Sequence, residues 1–392
     1  MKVAFASCSN ATRSSQRSQP VWGIIRQQKP DLLLLLGDNV YIGKEGYDPE
    51  PRFGETSLEA KQRILISKYD AQLAEPHFKE LLQEVPYLAV WDNHDFGLPG
   101  HKYKEGDITV KRYGGEVDDD HRDMVRVLFH RYLKRRSKRP EPEPVYCKFI
   151  HYEGNGKKIK FLMLDVRSRQ TAPHPIGTKR GGTLLGEEQE KWLLDELELN
   201  EAEIHVICSG IPYAAGDGVG WGAYTSWFNA FNDKLLTTNR PLFLGGNIHN
   251  NAFEAHIKKT NSDGEVTITM ARSKGGQDDQ PVTTDEKYLF YEAVSSGVGQ
   301  NFKDSENDQE EDGDDDGDDF IDDITEISAD GIITGNDTLA GLPRNNYGII
   351  DFTTELVKIT LYSQKPKDNF YAEIDRKSWQ LKKSWRQGVY IK

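Results

Sequence analysis

Four short segments of the sequence carry side chains that can bind metal ions. Each segment follows an apolar run of strand length. The first segment is the weakest of the four clusters. In open α/β sheets, ligands bind in the crevice outside the carboxyl ends of the strands. If these strand ends converge, carboxylate, amide, imidazole, thiolate and phenolate groups meet in one crevice. The four segments are Ser7 to Asn10, Gly37 to Tyr41, Trp91 to Asp95 and Gly246 to His249.

This set of ligand types suits two metal ions. Asp38 could bridge them, because a carboxylate has two oxygens. Asp and Asn oxygens favour a hard cation, whereas imidazole and thiolate favour a transition metal. Taken alone, an Asp after a strand is more often a turn residue, and Cys8, Tyr41 or His249 is more often structural. The shared position at strand ends is what indicates a site.

Helices alternate with strands early in the chain, and strands dominate late. The apolar run Leu32 to Leu36 predicts a buried strand that delivers Asp38 to a loop. Residues 56–84 have helical periodicity that is broken near Pro76. Residues 184–199 form the clearest amphipathic pattern, with apolar side chains on one stripe. This order predicts a layered α/β sandwich of mixed sheets.

The order of the motifs resembles the alkaline phosphatase D-like (PhoD-like) branch of the calcineurin-like metallophosphoesterase superfamily. The matches keep their order from residue 7 to about residue 350, and they are specific for the branch rather than for a substrate. The matching residues are Ser7-Cys8, Gly37-Asp38 with Tyr41, Trp91-Asp92-Asn93-His94-Asp95, Asp165 with Arg167, Leu185-Gly186 with Gln189 and Trp192-Leu193, Gly246-Asn247 with His249, and Ser296-Gly297.

The resemblance implies a fold, a domain organisation and a first metal. The expected fold is a four-layer α/β/β/α sandwich of two mixed sheets. A metallophosphoesterase domain is expected over residues 1–365, with an acidic insertion at about 303–325 and a basic tail at 366–392. The first metal, iron(III) in well-known members, would be held by Cys8, Asp38, Tyr41 and His249.

The resemblance also implies a second metal and two catalytic residues. Asp38 would bridge to this ion, and Asn93 and Asn247 would help to hold it. It is calcium in the same well-known members, and manganese, zinc or magnesium are alternatives. His94 would lie beside the leaving group, and Arg167 would contact either the phosphate or the residues around it.

Two asparagines depart from the pattern of the branch, which usually has Asp at both positions. Asn93 matches the Gly-Asn-His-Asp motif of the wider superfamily, so its substitution looks benign. Asn247 can still ligate through its amide oxygen, but the site loses one negative charge, which should weaken the affinity for a hard ion. The residues after Phe96 also lack the usual Asn-Asp pair of the branch.

The expected function is metal-dependent hydrolysis of phosphate esters by a phosphomonoesterase, a phosphodiesterase or both, with a metal-bound hydroxide as nucleophile. Two alternatives stay open: a phosphotriesterase using the same site, and a catalytically weak calcium-binding or interaction protein on this fold. The segment Tyr213 to Trp227 is rich in Gly and aromatic residues. It is either an aromatic loop at the rim of a pocket or a surface loop packed by its own aromatic side chains.

The resemblance implies a small phosphorylated substrate, and the charge distribution bears on other partners. The net charge is −13, and thirteen acidic residues lie between Asp304 and Asp323. Removing these thirteen from the 63 acidic residues leaves 50, which equals the number of Lys and Arg. The rest of the chain is therefore neutral, without the basic field that attracts nucleic acid or an anionic membrane. A long nucleic acid duplex is not an expected substrate.

The acidic insertion has two interpretations. Its acidic residues and Gly313 fit the spacing of loops that place oxygens around calcium, with Gly permitting a sharp turn. Such a segment produces matches by chance, so a flexible acidic loop is the alternative. The candidate calcium ligands are Asp308, Glu310, Asp312, Asp316 and Asp319.

The sequence carries no apolar run long enough to cross a membrane. As written, its start is not a secretory signal, so a cytoplasmic protein is expected unless a leader has been removed, in which case it is secreted or periplasmic. Three cysteines cannot all pair. The basic C-terminal segment could be a helix clasping the site, a dimer contact, a contact with the acidic insertion or, by default, a solvated tail. The oligomeric state is not predicted.

Overall fold

The structure is a computed structural model. It describes residues 1–11, 19–42, 57–98, 102–105, 108–111, 114–133, 144–171, 182–214, 221–249, 251–260, 266–271, 288–298, 333–334, 346–363, 369–386 and 389–391. The acidic insertion, with its candidate calcium ligands, lies outside the described residues. Among the described residues, no helix combines the length and the apolar character that crossing a bilayer requires.

The helices follow the predicted periodicity. The break near Pro76 separates two helices, because a proline fits the first turn of a helix and not its interior. The helices are α1 (Pro20–Gln27), α2 (Leu58–Ala74), α3 (Pro76–Glu84), α4 (Asn93–Phe96), α5 (Asp119–Leu133), α6 (Glu187–Leu199) and α7 (Thr225–Leu235).

The strands are most frequent in the C-terminal half, as predicted. They are β1 (Lys2–Ala6), β2 (Leu32–Leu36), β3 (Tyr87–Val90), β4 (Lys102–Glu105), β5 (Ile108–Lys111), β6 (Cys147–Tyr152), β7 (Lys158–Met163), β8 (Ile204–Cys208), β9 (Pro241–Gly245), β10 (Asn251–Thr260), β11 (Val266–Ala271), β12 (Tyr288–Ser295), β13 (Ile333–Thr334), β14 (Tyr347–Phe352), β15 (Leu356–Tyr362), β16 (Phe370–Asp375), β17 (Leu381–Arg386) and β18 (Val389–Ile391).

Two large mixed sheets are built from these strands. The first has the order β18-β17-β16-β15-β14-β1-β2-β3, in which β1, β2 and β3 are parallel neighbours. The second has the order β11-β10-β12-β9-β8-β7-β6, with β13 paired to β10. In the second sheet, β12, β9, β8 and β7 are parallel and the outer strands antiparallel. The strands β4 and β5 form a separate hairpin.

The two sheets pack face to face, and helices cover their outer faces. Phe161 of β7 contacts Phe352 of β14, with ring centroids 6.3 Å apart. Along β8, Val206 belongs to the core between the sheets, whereas Ile207 belongs to a second core that includes residues of α6 and α7. Successive strand side chains point to opposite faces, so the second sheet is covered on both.

The first sheet is also covered on both faces. All four residues from Val3 to Ala6 are buried in one cluster that includes α1, α2, α3 and α5. Since neighbouring residues of β1 face opposite sides, one side of this sheet meets the second sheet and the other meets these helices. The architecture is thus the predicted α/β/β/α sandwich of two mixed sheets.

The C-terminal segment differs from the expected solvated tail. Strands β16, β17 and β18 continue the first sheet beyond β15. In β16, Phe370, Ala372 and Ile374 are buried and alternate with partly exposed residues. Beyond β16, Arg376 forms ion pairs with Glu153 at 2.5 Å and with Glu203 at 2.8 Å. The partly exposed positions of β16 carry Tyr371, Glu373 and Asp375, and the basic residues follow from Arg376 onward.

Replacing Phe370 by Ala tests this assignment. Phe370 is fully buried, and its ring centroid lies 5.1 Å from that of Phe253 in the second sheet. Loss of a buried Phe side chain should lower the free energy of unfolding by about 3–5 kcal/mol. Urea denaturation followed by circular dichroism measures this change.

The matched control lies in the same segment. Lys382 is half-exposed and pairs with Asp375 at 3.0 Å, so Lys382→Ala should change the free energy by less than about 1 kcal/mol. Equal stability of the Phe370→Ala variant and the wild type would show that the segment is not part of the sheet.

Candidate metal centre

Four loops at the carboxyl ends of strands form the candidate metal centre. Strands β1, β2 and β3 are parallel neighbours and deliver three of the loops, and β9 of the second sheet delivers the fourth. The first two loops are tied together, because Cys8 N donates to Gly37 O at 3.2 Å and Ser9 N donates to Asp38 O at 2.8 Å. This is the convergence that the positions of the motifs predict.

Four of the predicted ligands have left-handed backbone conformations. The φ angles are +60° for Cys8, +49° for Asp38, +69° for Asn247 and +52° for His249. L-residues avoid this region, at a cost of about 1–2 kcal/mol each, although Asn and Asp tolerate it best. Such conformations persist only where the surrounding structure imposes them, and they cluster at functional sites.

A glycine lets the fourth loop approach the first sheet. A Cβ atom on Gly246 would lie 2.7 Å from Ser7 Oγ and 2.8 Å from Leu36 O. Both distances are below van der Waals contact, so only glycine allows the turn that carries His249 to meet the ends of β1 and β2.

Cys8, Asp38 and His249 form the centre of the site. One ligand atom from each lies within 4.8 Å of the others, and Cys8 and Asp38 are buried. Cys8 Sγ lies 3.7 Å from Asp38 Oδ2. Tyr41 completes the group, because its hydroxyl lies 3.4 Å from Asp38 Oδ2 and 2.9 Å from His249 Nε2. The structure thus brings together the four residues expected at the first metal.

Asn93 and His94 reach the centre from the short helix α4. His94 N donates to Asp38 Oδ1 at 3.1 Å, so both oxygens of that carboxylate are engaged. The His94 ring lies 4.0 Å from the Tyr41 ring, and its Nδ1 contacts Ile42 O at 2.8 Å. Asn93 is buried, and its Oδ1 has no hydrogen-bond partner among the described residues. A buried unpaired oxygen is the donor that a bound cation would satisfy.

The Arg167 side chain is buried and forms an ion pair with Asp92 through Nε. Its Nη1 donates to Gln170 Oε1 at 3.1 Å. Asp92 immediately precedes α4, so this pair anchors the turn that carries Asn93 and His94. Among its described contacts, Arg167 therefore supports the residues around the site.

Burial disfavours the charged forms of two of the candidate ligands. Burial, with added repulsion from Asp38, raises the pKa of the Cys8 thiol. Burial also raises the pKa of Asp38 to about 6, although the His94 amide and Arg167 oppose the shift. A bound cation stabilises the deprotonated forms and reverses both shifts. The donor set and its unbalanced electrostatics therefore fit metal ions.

Some residues of the site were not assigned a role from the sequence. Ser296 Oγ donates to Cys8 Sγ at 2.9 Å and accepts from His249 N at 3.0 Å. It therefore joins the first loop to the fourth. The Ser296-Gly297 pair was a matching motif, but a hydroxyl far along the chain gives no signal of which ligand it contacts.

The aromatic segment from Tyr213 to Trp227 packs into the protein where it is described. Trp221 is fully buried, with its ring centroid 5.8 Å from that of Phe243. Trp227 stacks on Phe231 at 5.0 Å. Both partners lie outside the segment, so its described part packs into the protein rather than forming a surface loop held by its own aromatic residues. Residues 215–220 lie outside the described residues.

The chain is similar to solved structures of other proteins. No curated protein matches the chain. Among solved structures, a dimetal phosphatase from Danio rerio has a TM-score of 0.42 and 10% identity, covering 93% of this chain and 95% of that one. GAP50, the anchor in the inner membrane complex of Plasmodium, has a TM-score of 0.34 and 10% identity, covering 100% of this chain and 89% of that one.

A family model described as PhoD-like phosphatase matches residues 3–312. The match includes all the predicted ligands around Asp38 and confirms the resemblance drawn from the order of the motifs. Because it spans most of the 392 residues, the chain belongs to the PhoD-like phosphatase family.

Proposed function

We propose that this chain hydrolyses small phosphate monoesters and diesters with two metal ions held around Asp38. The observation that carries the proposal is the convergence of Cys8, Asp38, Tyr41 and His249, with three of the four in left-handed conformations. Strain at these positions is explained if each side chain must reach a common point. The two ions, when bound, lower the pKa of water and polarise the phosphoryl oxygens.

The proposed division of ligands follows their charge. A thiolate from Cys8 and a phenolate from Tyr41 add negative charge, which suits a trivalent ion such as iron(III). Asn93 and Asn247 offer neutral amide oxygens, which suit a hard divalent ion such as calcium, with manganese, zinc or magnesium as alternatives. Asp38 would serve both ions, since each of its oxygens faces a different part of the site.

His94 is proposed to supply a proton to the leaving group. The Ile42 carbonyl can only accept, so the 2.8 Å contact places one proton on Nδ1 of the ring. In the imidazolium form a second proton lies on Nε2, and Nε2 gives this proton to the leaving group and becomes neutral; the neighbouring Tyr41 ring fixes its direction. Arg167 acts through Asp92, by holding the turn before α4, because its buried side chain does not reach solvent.

Asp38→Asn should lose both metal ions and hydrolysis. The variant keeps the shape of the side chain but removes the charge that two ions share. Since changes outside the direct ligands already cost about 10–100-fold, activity should fall by more than about 100-fold. Elemental analysis is combined with assays on p-nitrophenyl phosphate and its bis-ester. The control is Asp195→Asn on the exposed face of α6, and near-native turnover of Asp38→Asn would exclude the assignment.

His94→Gln should lower kcat by about 10²–10⁴-fold for substrates with an alkyl alcohol leaving group, because these need a proton. The loss should be smaller for p-nitrophenyl phosphate, whose leaving group is a weaker base. Metal content should stay at the wild-type level. His151→Gln on β6 is the matched control. Equal losses on both substrates would assign His94 to positioning rather than proton transfer.

Asn247→Asp should strengthen binding of the second ion. Asp tolerates the left-handed conformation of this position, and a unit charge at about 4 Å is worth about 4 kcal/mol at an effective dielectric of about 20. Even after the cost of desolvation, the affinity for calcium or manganese should rise by at least about tenfold, as measured by isothermal titration calorimetry. The control Asn155→Asp, in the exposed turn between β6 and β7, should leave the affinity for calcium or manganese unchanged. An unchanged affinity in Asn247→Asp would place the second ion elsewhere.

A further inference from the structure

A second cluster of buried titratable side chains lies in the second sheet. Glu254 and His256 project from the same face of β10, and Glu292 is the direct cross-strand partner of Glu254 on β12. One ligand atom from each of the three lies within 4.8 Å of the others, and all three residues are buried. Glu254 is three residues, or about 10 Å along the strand, from Asn251 at its start. The cluster is therefore distinct from the centre around Asp38.

Glu292 is firmly positioned, but its two neighbours are not paired. The carboxylate of Glu292 accepts N–H bonds from Tyr213 at 2.6 Å and Ala214 at 3.1 Å. Glu254 Oε2 and His256 Nε2 lie 3.3 Å apart, and neither has a hydrogen-bond partner among the described residues. More than about 90% of buried polar groups have such a partner. Two adjacent unpaired atoms therefore point to a ligand that contacts both.

Burial favours the uncharged form of all three groups, whereas a bound cation would favour the deprotonated carboxylates. Burial raises the pKa of Glu254 to about 8, and burial with repulsion from Glu254 raises the pKa of Glu292 to about 8. Burial lowers the pKa of His256 to about 4, so this ring is neutral at pH 7 and forms no ion pair with Glu254. Within the described chain, no Lys or Arg pairs with either carboxylate, and the other close neighbours are the Tyr213 and Phe290 rings.

We propose that Glu254, His256 and Glu292 form a separate mononuclear site for a divalent transition metal such as zinc. Two carboxylates balance the charge of a divalent ion, and a neutral imidazole with an unpaired nitrogen is the form that binds metal. Ligand atoms about 2.0–2.2 Å from a tetrahedral zinc lie about 3.3 Å apart, as Glu254 Oε2 and His256 Nε2 already do. One ligand oxygen of Glu292 lies within 4.8 Å of a ligand atom of each of the other two residues.

The chemistry of the donors selects the class of ion. The set lacks a thiolate, which disfavours copper(I), and the imidazole disfavours calcium and magnesium. The two backbone N–H groups on Glu292 would orient it as an outer layer of hydrogen bonds does at metal sites. The ion would then link β10, β12 and the segment at Tyr213 that follows β8, and its role would be to stabilise this region.

The test uses the full chain with the first centre disabled by Asp38→Asn. After removal of metal with a chelator and return to metal-free buffer, this variant is titrated with zinc and its metal content is measured after dialysis. One equivalent of zinc should be retained, and it should be lost in Asp38→Asn/Glu254→Gln and Asp38→Asn/His256→Gln. Glu190→Gln in the same background is the control, since Glu190 lies on α6 and is not one of the three proposed ligands.

Circular dichroism establishes that each variant is folded. If the double variants do not fold, cobalt(II) bound to Asp38→Asn decides the question. A visible spectrum of tetrahedral oxygen and nitrogen ligands supports the proposal, whereas a thiolate charge-transfer band would place the ion at Cys8 and overturn it. Failure of the folded Asp38→Asn variant to retain zinc, or retention that survives both double substitutions, would also overturn it. None of these results depends on phosphatase activity.

Discussion

The buried carboxylate of Asp38 is the group on which the metal centre depends. One oxygen lies near Cys8 and Tyr41, and the other accepts from the His94 amide. Burying a negative charge is costly unless a cation or hydrogen bonds compensate for it, and burial indeed raises the pKa of Asp38 to about 6. The same carboxylate therefore orders three loops and creates the demand for positive charge that metal ions meet.

The sandwich brings four loops together around the Asp38 carboxylate. Parallel pairing of β1, β2 and β3 brings three loops to one edge of the first sheet, and packing of the second sheet brings the fourth. This convergence has a conformational cost, because Cys8, Asp38 and His249 adopt left-handed backbone conformations. Strain of this kind is sustained by the buried strands behind it, such as the fully buried run Leu32 to Leu36. The candidate ligands lie within five residues of the ends of β1, β2, β3 and β9, so buried strands position them.

The sequence predicted the sandwich and the convergence of the candidate ligands better than it predicted the contacts made by distant residues. Cys8, Asp38, Tyr41 and His249 follow recognisable strands, and the structure brings them together. The strand at Phe370–Asp375 was missed because charged residues occupy its outward positions. The Glu254 cluster was missed for a related reason. On β10, polar residues alternate with apolar ones, which is typical of a strand with one solvated face. Only the neighbouring strand β12 and the segment at Tyr213 bury that face, and the local sequence carries no information about either.

The two clusters differ in access to solvent, and this difference separates their roles. His94, Asn247 and His249 are only half-buried, so a phosphate ester can reach the centre around Asp38. The cluster of Glu254, His256 and Glu292 is buried throughout. An ion there would have no substrate to act on, and its effect would be confined to holding strands and the segment at Tyr213 together. One fold thus offers an accessible centre suited to catalysis and an enclosed one suited to stability, each built where carboxylates are buried without enough cationic partners.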